Sequence, residues 1–176
     1  MTDQLLTARE SLPPRASGAD WTSKGRAILH ALTTTGATAS SLPLRLALAV
    51  AIFPHGAQKL LGWFGGPGFA GTLSGFEQGF GIPAPLAVLA VVTEFFAPVA
   101  LVLGGFTRVA AAALTVQMLV AMRFHLGNGF FMNWYGNQAG EGFEYHLLAI
   151  GIALGLVVLG AGRWSLDRRI AAASGE

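Results

Sequence analysis

The chain has 176 residues, of which 53% are hydrophobic and only 11% are charged. About a quarter of the residues of a soluble domain are charged, so this composition excludes an ordinary soluble globule and indicates an integral membrane protein. The absence of cysteine excludes disulfides, thiolate chemistry and iron–sulfur ligation by the chain itself, and scattered basic residues with a net charge of +2 give no support to nucleic-acid binding.

Residues 1–41 are polar and contain the pair Pro13-Pro14, with no long apolar run behind a basic start. This composition predicts a flexible cytoplasmic tail rather than a cleaved signal peptide. Residues 27–32 fit either a short surface helix or a frayed linker, and the linker is the favoured interpretation. The remaining domain, residues 42–170, is predicted to be an all-α, four-helix transmembrane bundle.

The first predicted span covers residues 43–62. Arg45 lies close enough to its start to snorkel to the lipid headgroups. Pro54 removes a backbone hydrogen bond in the interior and predicts a kink. Directly after the kink, three polar side chains share one face at helical spacing: His55, Gln58 and Lys59. Residues 63–83 then contain seven glycines among aromatic residues, which predicts an interfacial loop with a short helix near residues 71–78.

The second predicted span, residues 84–104, carries one carboxylate, Glu94, at its centre. About twenty residues at ~1.5 Å each match the ~30 Å hydrocarbon core of a bilayer. A carboxylate at that depth costs at least ~2.5–3.5 kcal/mol, so Glu94 needs a partner inside the protein. Depths estimated from residue counts make His55 its nearest expected partner, with Lys59 reaching it only if both side chains extend.

The third and fourth spans, residues 106–126 and 143–162, are joined by a second interfacial loop rich in glycine and aromatic residues. Gln117 and His125 lie on the polar face of the third span. The fourth opens with three polar side chains, Glu144, Tyr145 and His146. Further along it, Gly151 and Gly155 form a small-residue motif that predicts helix packing.

The distribution of lysine and arginine predicts the topology. Nine basic residues lie on the side of the termini: Arg9, Arg15, Lys24, Arg26, Arg45, Arg108, Arg163, Arg168 and Arg169. Only Lys59 and Arg123 lie toward the other side. The positive-inside rule therefore predicts that both termini lie in the cytoplasm, and we expect the membrane to be the inner membrane of a bacterium. Depths estimated from residue counts then place the polar side chains of the spans in the outer half of the membrane.

Several motifs, ordered along all four spans, resemble the DoxX family of small four-helix membrane proteins. They are His55-Gly56, residues 59–66, Glu94, residues 105–108, His125, residues 129–131, residues 142–145 with Leu147-Leu148, and residues 160–167. The family is similar to the small membrane subunit of an archaeal thiosulfate:quinone oxidoreductase, and other members resemble assembly partners in oxidative-stress defence. The resemblance thus implies a redox-associated membrane subunit, with quinone as the candidate cofactor.

Two interpretations of the polar residues remain open. In a quinone site, Glu94 and His55 are the candidate catalytic residues, with five ligand-binding candidates: Lys59, His125, Glu144, Tyr145 and Gln58. Alternatively, the polar residues form a structural network in a non-catalytic scaffold, either of an oxidoreductase or of a stress-defence complex. A solute transporter, haem ligation by histidines and a metal site at residues 125, 144 and 146 are less favoured, and a homo-oligomer remains open.

Overall fold

The computed structural model describes residues 18–174, which form seven α helices, two short 3₁₀ turns and no β strand within that range. The helices are Gly18–Thr33 (α1), Ser41–Leu61 (α2), Gly68–Phe80 (α3), Ala84–Leu103 (α4), Thr107–His125 (α5), Glu144–Leu159 (α6) and Leu166–Ser174 (α7). The 3₁₀ turns are Trp63–Gly65 and Leu126–Asn128. The expected all-α fold is confirmed.

Helices α2, α4, α5 and α6 correspond to the four predicted spans and pack side by side in that cyclic order. Leucine and isoleucine side chains meet at the centre among many alanines, which let the helices approach closely; Leu48, Ile52, Leu101, Leu114 and Leu156 are all buried. One end carries the connections 62–83 and 126–143 and is called the loop end. The other carries α1, α7 and the turn at residues 104–106 and is called the terminal end.

Two of these helices are long and apolar enough to cross a membrane: Ala84–Leu103, and Thr107–Asn128 with its final 3₁₀ turn. Only 33% and 28% of their apolar windows are buried inside the protein, whereas a core helix of a soluble protein would be mostly buried. Helix α6 is apolar but has 16 residues, and α2 is longer but carries polar side chains. The outward apolar surface of α4, including Leu86, Leu89 and Phe96, is suited to lipid.

Helix α1 lies within the segment that the sequence assigns to a flexible tail. It packs against α7 and α5, and Thr33 near its end is fully buried. Much of α1 faces outward and is polar, so its composition resembles that of a flexible tail. Its packing partner, α7, is more than 130 residues away in the sequence. Short-range composition therefore carries little sign of this contact. Residues 1–17 of the predicted tail lie outside the described residues.

The first glycine-rich connection contains a helix longer than the one expected near residues 71–78. Helix α3 packs on α2 and α4, and its Thr72 hydroxyl donates to the Lys59 carbonyl at 3.2 Å. The second connection is mainly turns, closed by the amide of Glu144 donating to the Phe130 carbonyl at 2.9 Å. Both connections are therefore anchored to the bundle at the loop end.

The terminal end is held by a buried network around Arg45 and Asp167. The Asp167 carboxylate accepts from the amides of Phe106 at 2.5 Å and Thr107 at 2.9 Å, which satisfies two donors at the start of α5 that have no partner within the helix. Arg45 is completely buried and donates through Nη2 to the Trp164 carbonyl at 2.8 Å. The prediction that Arg45 snorkels to lipid headgroups is wrong, because the turn before α7 folds over it.

The glycine stripe on α6 does not pack as predicted. A Cβ built at Gly151 or Gly155 meets no atom within 4 Å, so this face contacts none of the described helices. Gly104 is a glycine that the terminal end requires: it ends α4 with φ +65°, and a Cβ there would overlap the Arg45 guanidinium and Ser165. The close approach of backbone and arginine fixes this turn.

Gly104→Ala is expected to lower the free energy of unfolding by about 2–4 kcal/mol, combining a left-handed backbone penalty with overpacking against Arg45. Gly81→Ala is the matched control, since Gly81 ends α3 at the same φ of +65° with open space around it. This control should lose only about 1–2 kcal/mol. Unfolding midpoints in detergent measure both, and equal shifts would contradict the role of Arg45.

Candidate functional site

Glu94 is 4% exposed at the centre of α4, and both of its carboxylate oxygens have partners. Lys59 Nζ on α2 donates to Oε1 at 2.6 Å, and Gln117 Nε2 on α5 donates to Oε2 at 2.8 Å. Three helices are thereby joined at one buried charge. A charged pair with an additional hydrogen bond is the arrangement that makes a carboxylate tolerable in an apolar bundle.

His55, the partner expected for Glu94, is exposed, and the structure pairs Glu94 with Lys59 instead. The reason is helix rotation, which depth estimates ignore. Gly56 faces α4 so closely that a Cβ there would overlap the Glu94 carbonyl. Lys59 lies one turn beyond Gly56 and about 60° from it around the helix, whereas His55 lies about 100° from Gly56. The expectation that His55 is the nearest partner is therefore wrong.

The backbone contact at Gly56 involves a carbonyl that a proline leaves without its usual helical partner. Pro98 has no amide proton, so the Glu94 carbonyl lacks its usual partner four residues along α4. Without a side chain at Gly56, the backbone of α2 can lie directly against this carbonyl. Small buried residues on the same face of α4, Ala87 and Ala97, accompany this close packing of α4 against its neighbours.

A second polar layer lies nearer the loop end, on α5 and α6. The rings of His125 and His146 are 4.5 Å apart between centroids, and those of Tyr145 and His146 are 5.8 Å apart. His125 Nδ1 is 2.9 Å from the Glu141 carbonyl. Tyr145 lies within electrostatic range of Glu94, and His146 within range of His55. The two layers are thus electrostatic neighbours.

Three buried polar atoms here have no hydrogen-bond partner among the described residues: Gln117 Oε1, the Tyr145 hydroxyl and His146 Nδ1. An unsatisfied buried polar group costs about 1–3 kcal/mol, so such atoms indicate a water or ligand that the protein alone does not supply. We name this set of residues the loop-end cluster: Lys59, Glu94, Gln117, Tyr145 and His146.

Two other predicted site residues contact the loops instead. Gln58 Nε2 reaches the Phe64 carbonyl at 3.5 Å, and Glu144 Oε2 accepts from the Met132 amide at 3.3 Å. Gln117 and His146 were seen in the sequence but not selected as site residues. An amide in the middle of an apolar span was the signal for Gln117. Among the residues described, no group of three or more His, Asp or Glu side chains is arranged to hold a metal ion.

The DoxX family model matches residues 40–134, slightly more than half of the chain. The chain therefore belongs to the DoxX family, which confirms the resemblance seen in its motifs and makes it a membrane protein of a family often associated with redox systems. The match contains α2 to α5, and with them Lys59, Glu94 and Gln117. No curated protein and no solved structure matches the chain.

Lys59→Met is expected to lower the free energy of unfolding by about 2 kcal/mol or more, because it leaves Glu94 charged and buried with one neutral donor. Combined with Glu94→Gln, it should cost less than the sum of the two single changes, with a coupling of about 1–3 kcal/mol. Unfolding in detergent gives the free energies of the wild type, the two single variants and the double variant, from which the coupling is calculated.

The matched cycle uses His55→Ala with Glu94→Gln. Because His55 is exposed and does not bond to Glu94, its effects should add within about 0.5 kcal/mol. Strong coupling to His55 with none to Lys59 would contradict the pairing described here.

Proposed function

We propose that the protein is a redox-associated membrane subunit whose loop-end cluster binds the head group of a quinone and exchanges protons with it. The observation that carries this proposal is the set of unsatisfied polar atoms Gln117 Oε1, the Tyr145 hydroxyl and His146 Nδ1. Gln117 also bonds to the paired carboxylate of Glu94, Tyr145 interacts electrostatically with that carboxylate, and His146 follows Tyr145 on α6. A quinone ring has oxygens that accept hydrogen bonds when oxidised and donate them when reduced, which suits a site offering both donors and acceptors.

Four residues of the cluster have a chemical role in this proposal. The Tyr145 hydroxyl donates to a quinone oxygen, and Gln117 Oε1 accepts from the hydroxyl of the reduced ring. Glu94 holds a proton in exchange with Lys59, with which it shares a 2.6 Å hydrogen bond. Lys59 is partly exposed toward the loop end and gives this exchange a route to water.

Reduction of a quinone requires two electrons as well as two protons. The chain has no cysteine for thiol or cluster chemistry, so the electrons in this proposal come from a partner redox subunit. Two cavities on the surface of the bundle lie away from the cluster, toward the middle and the terminal end. In this proposal the head group enters at the loop end, where His55 is exposed and Lys59 is partly exposed.

An alternative function, a scaffold or assembly partner without chemistry, is favoured by one feature of the second connection. Trp134 and Tyr135 are 81% and 91% exposed, next to the exposed Phe131. Large aromatic side chains are common anchors in protein interfaces and are also common at membrane surfaces. In this alternative the polar residues only tie the helices together.

The membrane arrangement is proposed as four spans in a bacterial inner membrane, with the terminal end in the cytoplasm. The described residues at the terminal end include seven basic ones: Lys24, Arg26, Arg45, Arg108, Arg163, Arg168 and Arg169. Lys59 and Arg123 lie toward the loop end. This asymmetry supports the orientation by the positive-inside rule.

Single cysteines test the topology without background, since the chain has none of its own. Asn137→Cys lies in the exposed second connection and Ala172→Cys on the exposed side of α7. In spheroplasts, an impermeant maleimide should label residue 137 at once and residue 172 only after permeabilisation. The opposite pattern would overturn the orientation, and labelling of both in intact spheroplasts would overturn the count of spans.

The quinone proposal predicts bound quinone in protein purified in mild detergent, at up to one molecule per chain, measured by extraction and chromatography. Tyr145→Phe should reduce this content about tenfold, the loss expected for one buried hydrogen bond. The variant should nevertheless keep its stability or gain up to about 1 kcal/mol, since the hydroxyl it removes has no partner in the protein. Glu94→Gln should also lose quinone.

Glu141→Gln is the control, because Glu141 is an exposed loop carboxylate bonded to the Asn133 amide. It should retain the wild-type quinone content. Absence of quinone from a well-folded wild type that also fails to bind added quinone would overturn the proposal and favour the scaffold. Equal retention by folded Tyr145→Phe and wild type would remove this cluster as the site.

A further inference from the structure

Two cavities on the surface of the bundle meet at Leu103, which lines both. The first, of about 560 Å³, lies at the terminal end and is lined by Arg163, Arg168, Arg169 and Trp164. The second, of about 400 Å³, lies between α2 and α4 and is lined only by apolar residues. A basic cavity at the end of the helices thus continues into an apolar groove along their sides.

Among the described residues, no ion pair neutralises the positive charge of the basic cavity. The side chains of Arg163, Arg168 and Arg169 form no ion pair with a described residue. The carboxylate next to them in the sequence, Asp167, is buried and accepts from the amides of Phe106 and Thr107. Three exposed guanidinium groups therefore remain available for an anion, and a guanidinium is well shaped for bidentate contact with a phosphate.

The apolar groove lies where both helices contain a proline. Pro54 on α2 and Pro98 on α4 are at its far end, and Val50, Val99 and Val102 form its exposed walls. From Leu103 to Pro98 the groove runs about 7.5 Å along α4. That length takes the first several methylene groups of an acyl chain, whose remainder extends into the bilayer beside α4.

We propose that these joined cavities bind one anionic phospholipid, with its phosphate at Arg163, Arg168 and Arg169 and one acyl chain in the groove between α2 and α4. A free anion would use the basic cavity and leave the groove empty, whereas a lipid uses both and has the same order of charged and apolar parts. Trp164, which lines the basic cavity, is 61% exposed and suits the headgroup level of a membrane. The lipid belongs to the leaflet at the terminal end.

Native mass spectrometry of the detergent-purified full chain tests the proposal, with phosphatidylglycerol and phosphatidylcholine of identical acyl chains as probes. We expect the wild-type protein to bind phosphatidylglycerol at least tenfold more tightly than phosphatidylcholine. Arg168→Gln/Arg169→Gln should lose about tenfold of that preference, since each basic residue near anionic lipid contributes measurably. Arg26→Gln/Arg123→Gln removes the same charge elsewhere and should keep the preference.

The groove has its own pair of variants. Val99→Phe fills it and should weaken binding of the long-chain lipid about tenfold, whereas Val116→Phe, on the exposed face of α5, should have no effect. Inorganic phosphate and glycerophosphoglycerol are the headgroup-only probes. Equal binding of both lipids by the wild type, equal losses in test and control variants, or full competition by inorganic phosphate at the affinity of the lipid would each overturn the proposal.

Discussion

The structure depends on one constraint: a carboxylate placed in the middle of an apolar helix must be satisfied from within the protein. Glu94 meets it with Lys59 from α2 and Gln117 from α5. In an apolar bundle most contacts between helices are alike, so one helix can shift along another at little cost in free energy. A buried charge pair forms at only one relative height of the helices. The Glu94 contacts therefore select the relative height of three of the four helices, and the price is the desolvation of an ion pair.

The two ends of the bundle solve their polar contacts differently. At the terminal end, the Asp167 carboxylate accepts two amides of α5, and Arg45 reaches the Trp164 carbonyl beneath the turn that precedes α7. These contacts join distant parts of the chain and fix the fold. At the loop end, the network continues from a satisfied carboxylate to unsatisfied atoms on Gln117, Tyr145 and His146. Unsatisfied buried atoms also occur at the terminal end, on Ser41, Arg45, Thr107 and Arg108. The loop end is the candidate ligand site because one of its unsatisfied atoms belongs to Gln117, which also bonds to the paired carboxylate of Glu94.

Sequence patterns predicted the four main helices, the two glycine-rich connections and the presence of a polar cluster, because hydrophobic runs and isolated polar residues are local signals. They did not predict the pairing of Lys59 with Glu94, since the rotation of α2 is set by its contact with α4. The burial of Arg45 and the docking of α1 on α7 depend on contacts across most of the chain. The open faces of Gly151 and Gly155 show that small residues permit close packing without requiring it.

The turn of α4 from Glu94 to Pro98 contributes both to the buried charge pair and to the groove proposed for an acyl chain. Pro98 removes the helical partner of the Glu94 carbonyl, and Gly56 lets the backbone of α2 lie against that oxygen. The same proline lines the groove proposed to hold an acyl chain, while the Glu94 side chain points to Lys59 and Gln117. Separation of α2 from α4 at this level would lengthen the 2.6 Å bond between Lys59 and Glu94. The close contact between Gly56 and α4 therefore keeps the two helices near enough for Lys59 and Glu94 to pair.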